Sequence, residues 1–178
     1  METDESIERT DESIERTSEE GGKGVIRRAE ASDLPGINKL LYEVQKVHSD
    51  ARPDLFRAGA KKYTDEQLVK IIGSDSTPVF VLEKNGQVLG YAFCILRQVA
   101  DSSTMTAIKT LYVDDLCVDE CVRGEHVGRR LYNYVIDFAR KSGCYNVTLN
   151  VWADNESAVG FYKAIGMRVQ KIGMEKIL

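Results

Sequence analysis

A basic segment with two glycines follows an apolar run in the second half of the chain. Residues 122–130 read V-R-G-E-H-V-G-R-R, shortly after L-Y-V-D-D-L-C-V at residues 111–118. The first run is strand-like and the second opens a helix, so Gly124 and Gly128 lie in or beside a first helical turn, where glycine costs stability. Free backbone N–H groups at a helix start bind phosphate, and glycine permits close approach. The spacing therefore indicates a pyrophosphate site, with backbone packing as the alternative explanation.

Hydrophobic periodicity places this segment within a series of strands and helices. Asn85 and Gly86 have the composition of a hairpin turn, and Thr64 with Gln67 forms a capping box before a helix. In chain order, the sequence predicts strands at residues 25–29, 78–83, 87–97, 107–118, 144–152 and 167–178, and helices that begin near residues 32, 64, 125 and 155. This order predicts an α/β fold with a mixed, mostly antiparallel sheet flanked by helices.

Length and composition indicate a single domain. The chain has 178 residues, of which 43% are hydrophobic; this is enough for one substantial core and too little for two ordinary domains. No apolar run reaches the roughly 20 residues of a membrane span, and the N-terminus lacks the basic and apolar regions of a signal peptide. We therefore expect a cytoplasmic protein that has no membrane partner.

The first 24 residues differ from the rest of the chain. The segment T-D-E-S-I-E-R occurs twice in succession, and each copy offers one apolar residue, too few for a coiled-coil seam. We interpret residues 1–24 as a disordered acidic tail or an expression leader, and residues 25–178 as the folded domain. Residues 1–24 carry nine acidic and three basic side chains, which leaves residues 25–178 with a formal charge of +2. A nearly neutral body without a basic run is not expected to bind nucleic acid.

The cysteines give no indication of a metal site. Cys94, Cys117, Cys121 and Cys144 show no paired C-x-x-C spacing. Two of the four lie inside apolar, strand-like runs, where a free cysteine behaves as a small hydrophobic residue. We expect reduced thiols, with neither a disulfide nor a bound metal.

A second motif gives the phosphate interpretation a specific context. Residues 155–167 read N-E-S-A-V-G-F-Y-K-A-I-G-M, and here the chain resembles the GCN5-related N-acetyltransferase (GNAT) superfamily, over residues 25–178. That family's phosphate loop reads Arg or Gln, two free positions, Gly, one free position, then Gly or Ala. Arg123 and Gly128 match its ends, whereas His126 replaces the middle glycine. Because φ is negative in a helix, we expect His126 to be tolerated, with its backbone N–H available and its side chain toward solvent.

The resemblance implies a GNAT-like sheet in which two neighbouring strands splay apart to form an acetyl-CoA cleft. Backbone groups of residues 116–118 would pair with the pantetheine arm like an added strand, and residues 147–151 would diverge from them. Asn155 would bond the pantetheine or phosphate arm. The residues assigned to acetyl-CoA are Leu116, Cys117, Val118, Arg123, Gly124, Glu125, His126, Val127, Gly128, Arg129 and Asn155.

Two kinds of side chain suit the acetylation of an amine. By resemblance, Tyr162 lies near the acetyl thioester, and its hydroxyl, with an ordinary pKa of about 10, is suited to protonate a departing thiolate. Its neighbour Phe161 is expected in the core. A carboxylate would attract the cationic amine and accept its proton. Strand alternation puts Asp114 and Asp115 on opposite faces, so that only one reaches the cleft. The diamine and polyamine acetyltransferase branch, which the spacing resembles, favours Asp114, with Asp115 as the alternative.

The sequence therefore predicts an acetyl-CoA-dependent N-acetyltransferase that acts directly on a primary amine, preferably of a small cationic molecule. A protein N-terminus or lysine is the alternative acceptor, and an acyl-CoA-binding regulatory domain without catalysis is the alternative class. The loop at residues 48–56 and Tyr63 lie where the resembled family shapes acceptor specificity, and Trp152 is either a core residue or part of that pocket. Relatives commonly dimerise, so the resemblance is compatible with a homodimer, although the sequence identifies no interface.

Overall fold

The structure of the protein, a computed structural model, describes residues 23–99 and 102–178, so nearly all of the predicted acidic tail lies outside the described residues. Four α-helices lie within the described residues. They are α1 Leu34–Ala51, α2 Asp65–Ile72, α3 Val127–Lys141 and α4 Glu156–Ala164. None of these helices combines the length and the hydropathy that a membrane span requires.

The described residues also form a five-stranded sheet in which the strands lie side by side in chain order. The strands are β1 Val25–Arg28, β2 Val79–Lys84, β3 Gln87–Gln98, β4 Lys109–Val118 and β5 Asn146–Leu149. The first four are antiparallel, and β5 is parallel to β4. Asn85 and Gly86 form the turn of the β2–β3 hairpin, with φ of 53° and 77°. The hairpin turn predicted at these residues is present. The predicted α/β architecture is confirmed.

Helices cover both faces of the sheet because the central strands are apolar on both faces. On one face, Tyr91 and Phe93 of β3 pack with Ile37 and Leu40 of α1. The alternating residues of β3 point the other way, where Cys94 joins a second cluster with β4 and α3. The sheet thus separates an α1–α2 layer from an α3 layer, and any site on the sheet belongs to one of the two layers.

Side chains of the loops fix where the two N-terminal helices begin. The capping box is present: Gln67 N donates to the Thr64 hydroxyl at 3.3 Å, and Thr64 N donates to the Gln67 side chain at 2.8 Å. At the start of α1, Asp33 stands at the cap position but forms no side-chain cap. Instead, the buried Asp33 carboxylate accepts from Arg27 at 2.7 Å and from Glu30 N at 2.8 Å, which ties β1 to the turn before α1.

The predicted final strand at residues 167–178 is not formed. These residues have no regular secondary structure and join no sheet ladder, and Ile172 and Met174 are 77% and 91% exposed. The segment leaves α4 through Gly166, with φ of +92°, and Glu175 pairs at 3.1 Å with Arg52, the residue that follows α1. The apolar residues that indicated a strand therefore have no strand partner among residues 23–99 and 102–178.

Candidate active site

The two strands β4 and β5 are paired over only part of the length of β4. Their ladder begins at Thr110 with Asn146 and ends at Val113 with Leu149, where β5 stops. β4 continues to Val118, so residues 114–118 have no strand neighbour on the β5 side. Unpaired backbone N–H and C=O groups at such an edge can bind an extended ligand as an added strand.

The turn after β4 enters α3 through left-handed backbone. Gly124 has φ of +91°, and His126, the residue that caps α3, has φ of +63° and ψ of 13°. The prediction of a negative φ at His126 is wrong because α3 begins at Val127 rather than at Glu125, which leaves His126 before the helix. A non-glycine residue in this region carries a steric cost that glycine avoids.

Close packing within the chain does not explain the second glycine of the loop. A Cβ atom added to Gly128 would lie 3.5 Å from Phe161 and from Val118, which is ordinary van der Waals contact. The charged side chains of Arg123, Glu125 and Arg129 are exposed, and α3 begins with its first-turn N–H groups free of intrahelical partners. This geometry is suited to an anion that approaches the backbone.

Asp119, which the sequence analysis did not single out, holds this loop in place. It is 5% exposed and accepts hydrogen bonds from Cys121 N at 2.9 Å and from Lys39 Nζ of α1 at 2.5 Å. The hydrogen bond from Lys39 lowers the pKa of the Asp119 carboxyl. An aspartate side chain that accepts a hydrogen bond from the backbone two residues ahead is common in turns. The D-E-C sequence after the strand could therefore have identified Asp119.

The adjacent acids Asp114 and Asp115 lie on the same face of the sheet. Phe93 of β3 pairs with Asp115 and Cys94 pairs with Val113, so Asp114 is the extra residue of a β-bulge. A bulge of this kind interrupts the alternation of side chains. The expectation that the two carboxylates point to opposite faces is therefore wrong, and both face the α1–α2 layer.

Asp114 is engaged by two residues of the loop before α2. Its Oδ2 accepts from Lys62 Nζ at 2.7 Å and from the Tyr63 hydroxyl at 2.9 Å. Burial lowers the pKa of Lys62, but the neighbouring carboxylates Asp114 and Asp115 outweigh burial and raise it overall. Burial also raises the pKa of Tyr63, to about 12. Asp114 thus has a fixed cation beside it before any acceptor arrives.

Asp115 has a different environment. Its Oδ2 accepts from the Tyr91 hydroxyl at 2.9 Å, and the Tyr91 side chain is fully buried. Burial raises the pKa of the Asp115 carboxyl, while the charge of Lys62 and the hydrogen bond from Tyr91 partly oppose this shift. Sequence reasoning missed Lys62 and Tyr91, because both lie far from the two acids in the sequence and meet them only in the fold.

Tyr162 of α4 lies within electrostatic reach of Asp115. Burial raises its pKa, and the charge of Asp115 raises it further, so the hydroxyl holds its proton at neutral pH. Phe161 contacts the Tyr162 ring at 5.2 Å between centroids and is half-buried rather than a core residue. At the start of α4, Asn155 Oδ1 caps the helix by accepting from Ala158 N at 3.1 Å, so its amide N–H groups remain for a ligand.

A cavity of about 350 Å³ opens between the end of α1 and the β5–α4 loop. The rings of His48 and Phe56 stack at 5.0 Å, and Phe56 meets Trp152 edge-on at 5.6 Å. Trp152 is 43% exposed, so it is a pocket residue and not a core residue. The cavity is lined by Val47, His48, Ala51, Arg52, Phe56, Trp152, Asp154, Asn155, Glu156 and Ser157.

Comparison with protein families identifies one match that covers most of the domain. The sequence profile described as the acetyltransferase (GNAT) family matches residues 41–167. The matched range contains β4, the glycine loop, α4 and most of the α1 helix, and it therefore includes every candidate site residue described above.

Individual proteins give the same result. The chain is 31% identical to glucosamine 6-phosphate N-acetyltransferase of Arabidopsis thaliana over 85% of this chain and 94% of the relative. It is 25% identical to an uncharacterised N-acetyltransferase of Methanocaldococcus jannaschii, over 83% of this chain but only 62% of that relative's length. The crystal structure of a tetramutant of the BH1408 protein from Bacillus halodurans superimposes with a TM-score of 0.83 at 30% identity, over 86% of this chain and 99% of the other.

Proposed function

The chain belongs to the acetyltransferase (GNAT) family, and we propose that it transfers the acetyl group of acetyl-CoA directly to the primary amine of a small cationic molecule. The family makes the protein an acyltransferase with acetyl-CoA as co-substrate. The acceptor and the roles of individual residues are our proposal. One observation supports it most strongly: the unpaired edge of β4 runs from Asp114 and Asp115 to the glycine loop, and Tyr162 lies within reach of the charge of Asp115.

The residues around this edge fit acetyl-CoA. Backbone groups at residues 116–118 are suited to bind the pantetheine amides, and the first-turn N–H groups of α3 are suited to bind the pyrophosphate. Arg123 and Arg129 are exposed cations beside that turn, and the Asn155 amide lies at the start of α4. Acetyl-CoA supplies the acyl group and a thiol leaving group.

Asp115 is the better candidate for the general base. An ammonium acceptor must lose a proton before its nitrogen can form a bond with the thioester carbon. Asp114 is already bound by the Lys62 ammonium, whereas Asp115 has a neutral tyrosine as its hydrogen-bond partner. A base with a raised pKa accepts a proton more readily at neutral pH. In our assignment, Asp115 accepts the proton of the amine and Asp114 holds Lys62 in place.

Tyr162 is assigned as the general acid. When the carbon–sulfur bond breaks, the electron pair goes to sulfur, and the thiolate needs a proton. The pKa of Tyr162 is raised, so its hydroxyl stays protonated until this step. Asp115 and Tyr162 interact electrostatically. In this proposal Asp115 accepts the proton of the acceptor nitrogen, and Tyr162 donates a proton to the departing sulfur.

The cavity at the end of α1 is the proposed acceptor pocket. Its Phe56 and Trp152 rings are of the kind that attracts cations, and Arg52 already stands 5.9 Å from the Trp152 ring centre. Asp154 and Glu156 lie in its lining, while the charge of Arg52 is paired with Asp54 and Glu175. The lining thus has two acidic side chains and an arginine whose charge is already paired, and this distribution of charge favours a cationic acceptor over a phosphorylated one. The diamine and polyamine branch itself is not supported by the comparisons, so the cationic acceptor rests on these side chains.

An acceptor screen tests the proposal. Release of free thiol from acetyl-CoA should be fastest with small diamines and slower with glucosamine 6-phosphate and with a peptide that has a free N-terminus. Faster turnover of the sugar phosphate or the peptide would contradict the cationic acceptor. Saturable binding of acetyl-CoA without turnover of any amine would instead support the regulatory domain considered from the sequence.

A further inference from the structure

A lysine in the loop between α1 and α2 stands beside the two acids of β4. Lys62 Nζ donates to Asp114 Oδ2 at 2.7 Å, and the charges of Lys62 and Asp115 act on each other. Among residues 23–99 and 102–178, Lys62 is the one lysine that forms an ion pair with a residue of β4. The chain therefore holds a primary ammonium group of its own beside the acids that the proposed mechanism uses on an acceptor.

Contacts of the neighbouring residue hold Lys62 against the sheet. The Tyr63 hydroxyl also donates to Asp114, at 2.9 Å, and the Tyr63 ring stacks on Phe93 of β3 with 5.7 Å between centroids. Lys62 Nζ lies 5.3 Å from the centre of the Tyr63 ring, a distance at which an ammonium is attracted to an aromatic ring. A lysine side chain loses rotamer freedom when it is fixed, and here an ion pair and an aromatic ring offset that loss. Lys62 therefore has a defined position in the candidate site.

The same pair lies where the unpaired edge of β4 begins. Asp114 is the first residue of β4 beyond the ladder with β5, which ends at Val113. The side chains of Lys62 and Asp114 are 37% and 22% exposed, so the pair is open to a bound molecule. Asp115 lies within electrostatic reach of both Lys62 and Tyr162. An acetyl thioester bound near Tyr162 would therefore meet the Lys62 amine at the same end of the edge.

We infer that the protein acetylates its own Lys62 when acetyl-CoA is bound and no acceptor amine is present. The inference rests on the proposed function, because it uses the same base and the same acid. It adds a modification site and a second acceptor, a lysine of the chain itself.

The proposed step balances without a further reactant. The Lys62 ammonium gives one proton to Asp115, which later passes it to solvent. The nitrogen lone pair then forms a bond with the thioester carbon. As the carbon–sulfur bond breaks, its electron pair goes to sulfur, and the sulfur takes a proton from the Tyr162 hydroxyl. The second proton lost by the nitrogen returns to the Tyr162 oxygen, and the products are acetyl-lysine and coenzyme A.

Acetylation of Lys62 would change the site that performs it. The amide carries no charge, so Asp114 would lose its cation and Asp115 would lose a nearby positive charge. Acetylated protein should therefore behave like a variant without the Lys62 charge. Because the ion pair keeps Lys62 protonated, the modification should be slower than turnover of a free amine. An acceptor bound beside the same acids should slow it further.

Incubation of the full chain with acetyl-CoA labelled in its acetyl group, without added amine, tests the inference. Peptide mass spectrometry over time should show Lys62 labelled at least about tenfold faster than Lys61 and Lys46. Lys61 is its neighbour but pairs with Asp65, and Lys46 is 74% exposed on α1, so both report uncatalysed labelling. The rate per chain should not depend on protein concentration, because the amine and the bound thioester belong to one complex. A saturating diamine should protect Lys62.

Two variants separate catalysed from uncatalysed labelling. Tyr162→Phe should slow the labelling of Lys62 at least about tenfold and leave that of Lys46 unchanged. Lys61→Arg should leave the labelling of Lys62 unchanged. Labelling of Lys62 no faster than that of Lys46, or equally fast in Tyr162→Phe, would overturn the inference.

Thiol release with an added diamine, measured on the same wild-type protein, separates this inference from the proposed function. Turnover of the diamine with no label at Lys62 would overturn self-acetylation and leave the proposed acetyl transfer intact. Absence of both thiol release with any amine and label at Lys62 would overturn the two together.

Discussion

Asp114 and Asp115 are consecutive residues of β4, yet their side chains lie on the same face of the sheet. Asp114 accepts from Tyr63 at 2.9 Å and Asp115 accepts from Tyr91 at 2.9 Å, because Asp114 is the extra residue of a bulge. Lys62 acts on both carboxylates, by a hydrogen bond to Asp114 and by its charge on Asp115. The bulge therefore gives two adjacent acids different partners, and our proposal assigns them different roles.

Replacement of Asp115 should remove the general base. We expect Asp115→Asn to lower kcat by about 10²–10⁴-fold and to abolish the fall in rate at low pH, because the base no longer titrates. The pH profile of kcat with saturating acetyl-CoA measures this. Asp114→Asn is the matched control, with a smaller loss and a retained low-pH limb. The opposite pattern would give the role to Asp114, as the resemblance to diamine acetyltransferases implied.

The same carboxyl should leave a signature in stability. Because the folded-state pKa of Asp115 is raised, the native protein binds more protons than the unfolded chain between the two pKa values, so stability falls as pH rises through that window. The Asp115→Asn variant lacks this titrating group. The free energy of unfolding of the variant minus that of wild type should therefore be larger above the window than at about pH 4. Urea unfolding of both proteins from acid to neutral pH measures the difference. A difference that is independent of pH would show that folding does not raise the pKa of Asp115.

Removal of the cation beside the acids should shift the base. The charge of Lys62 lowers the pKa of Asp115, so Lys62→Met should raise that pKa and move the low-pH limb of the kcat profile to higher pH. Lys61→Met is the control, because Lys61 pairs with Asp65 at 2.6 Å, not with the two acids. A shift to lower pH, or an equal shift in both variants, would contradict the assignment.

Loss of the Tyr162 hydroxyl should affect the chemical step and not the binding of acetyl-CoA. We expect Tyr162→Phe to lower kcat by about 10²–10⁴-fold with little change in the Kd of acetyl-CoA, because the ring still packs beside Phe161. Stopped-flow turnover and calorimetric titration provide the two values. Tyr145→Phe, at a 76% exposed tyrosine, should change neither. An equal loss of kcat and affinity would mean that Tyr162 only packs against the cofactor.

Glycine at position 126 should stabilise the protein. His126 has a left-handed conformation that costs about 1–2 kcal/mol for most residues, and the greater freedom of glycine in the unfolded chain offsets about 0.4–1 kcal/mol of the gain. His126→Gly should therefore raise the free energy of unfolding by about 0.5–1 kcal/mol. Glu125→Gly, at a neighbour without positive φ, should lower it. Urea denaturation that shows both variants destabilised would disprove the strain at His126.

Local sequence signals predicted those features of the fold that depend on a few neighbouring residues. Asn85-Gly86 requires positive φ at both turn positions, and Thr64 with Gln67 satisfies two free N–H groups, so each pattern admits few structures. The glycine loop and the 155–167 motif gave the family, which the comparisons confirm.

Other features depend on contacts that a single stretch of sequence does not carry. The bulge at Asp114 arises from the register of β4 against β3, so simple alternation gave the wrong face. His126 has positive φ because α3 begins at Val127, two residues later than predicted, and the start of a helix is set by its surroundings as well as by its sequence. The segment at residues 167–178 has strand composition but no strand partner in the described part of the chain, and composition alone cannot supply one.

The structure of a crystal soaked with coenzyme A tests the central claim most directly. We expect the pyrophosphate against the backbone N–H groups of residues 124–128 and the pantetheine along the edge of β4 at residues 116–118, with its sulfur near Tyr162. Coenzyme A bound away from that edge, or an edge that closes onto β5, would contradict the account.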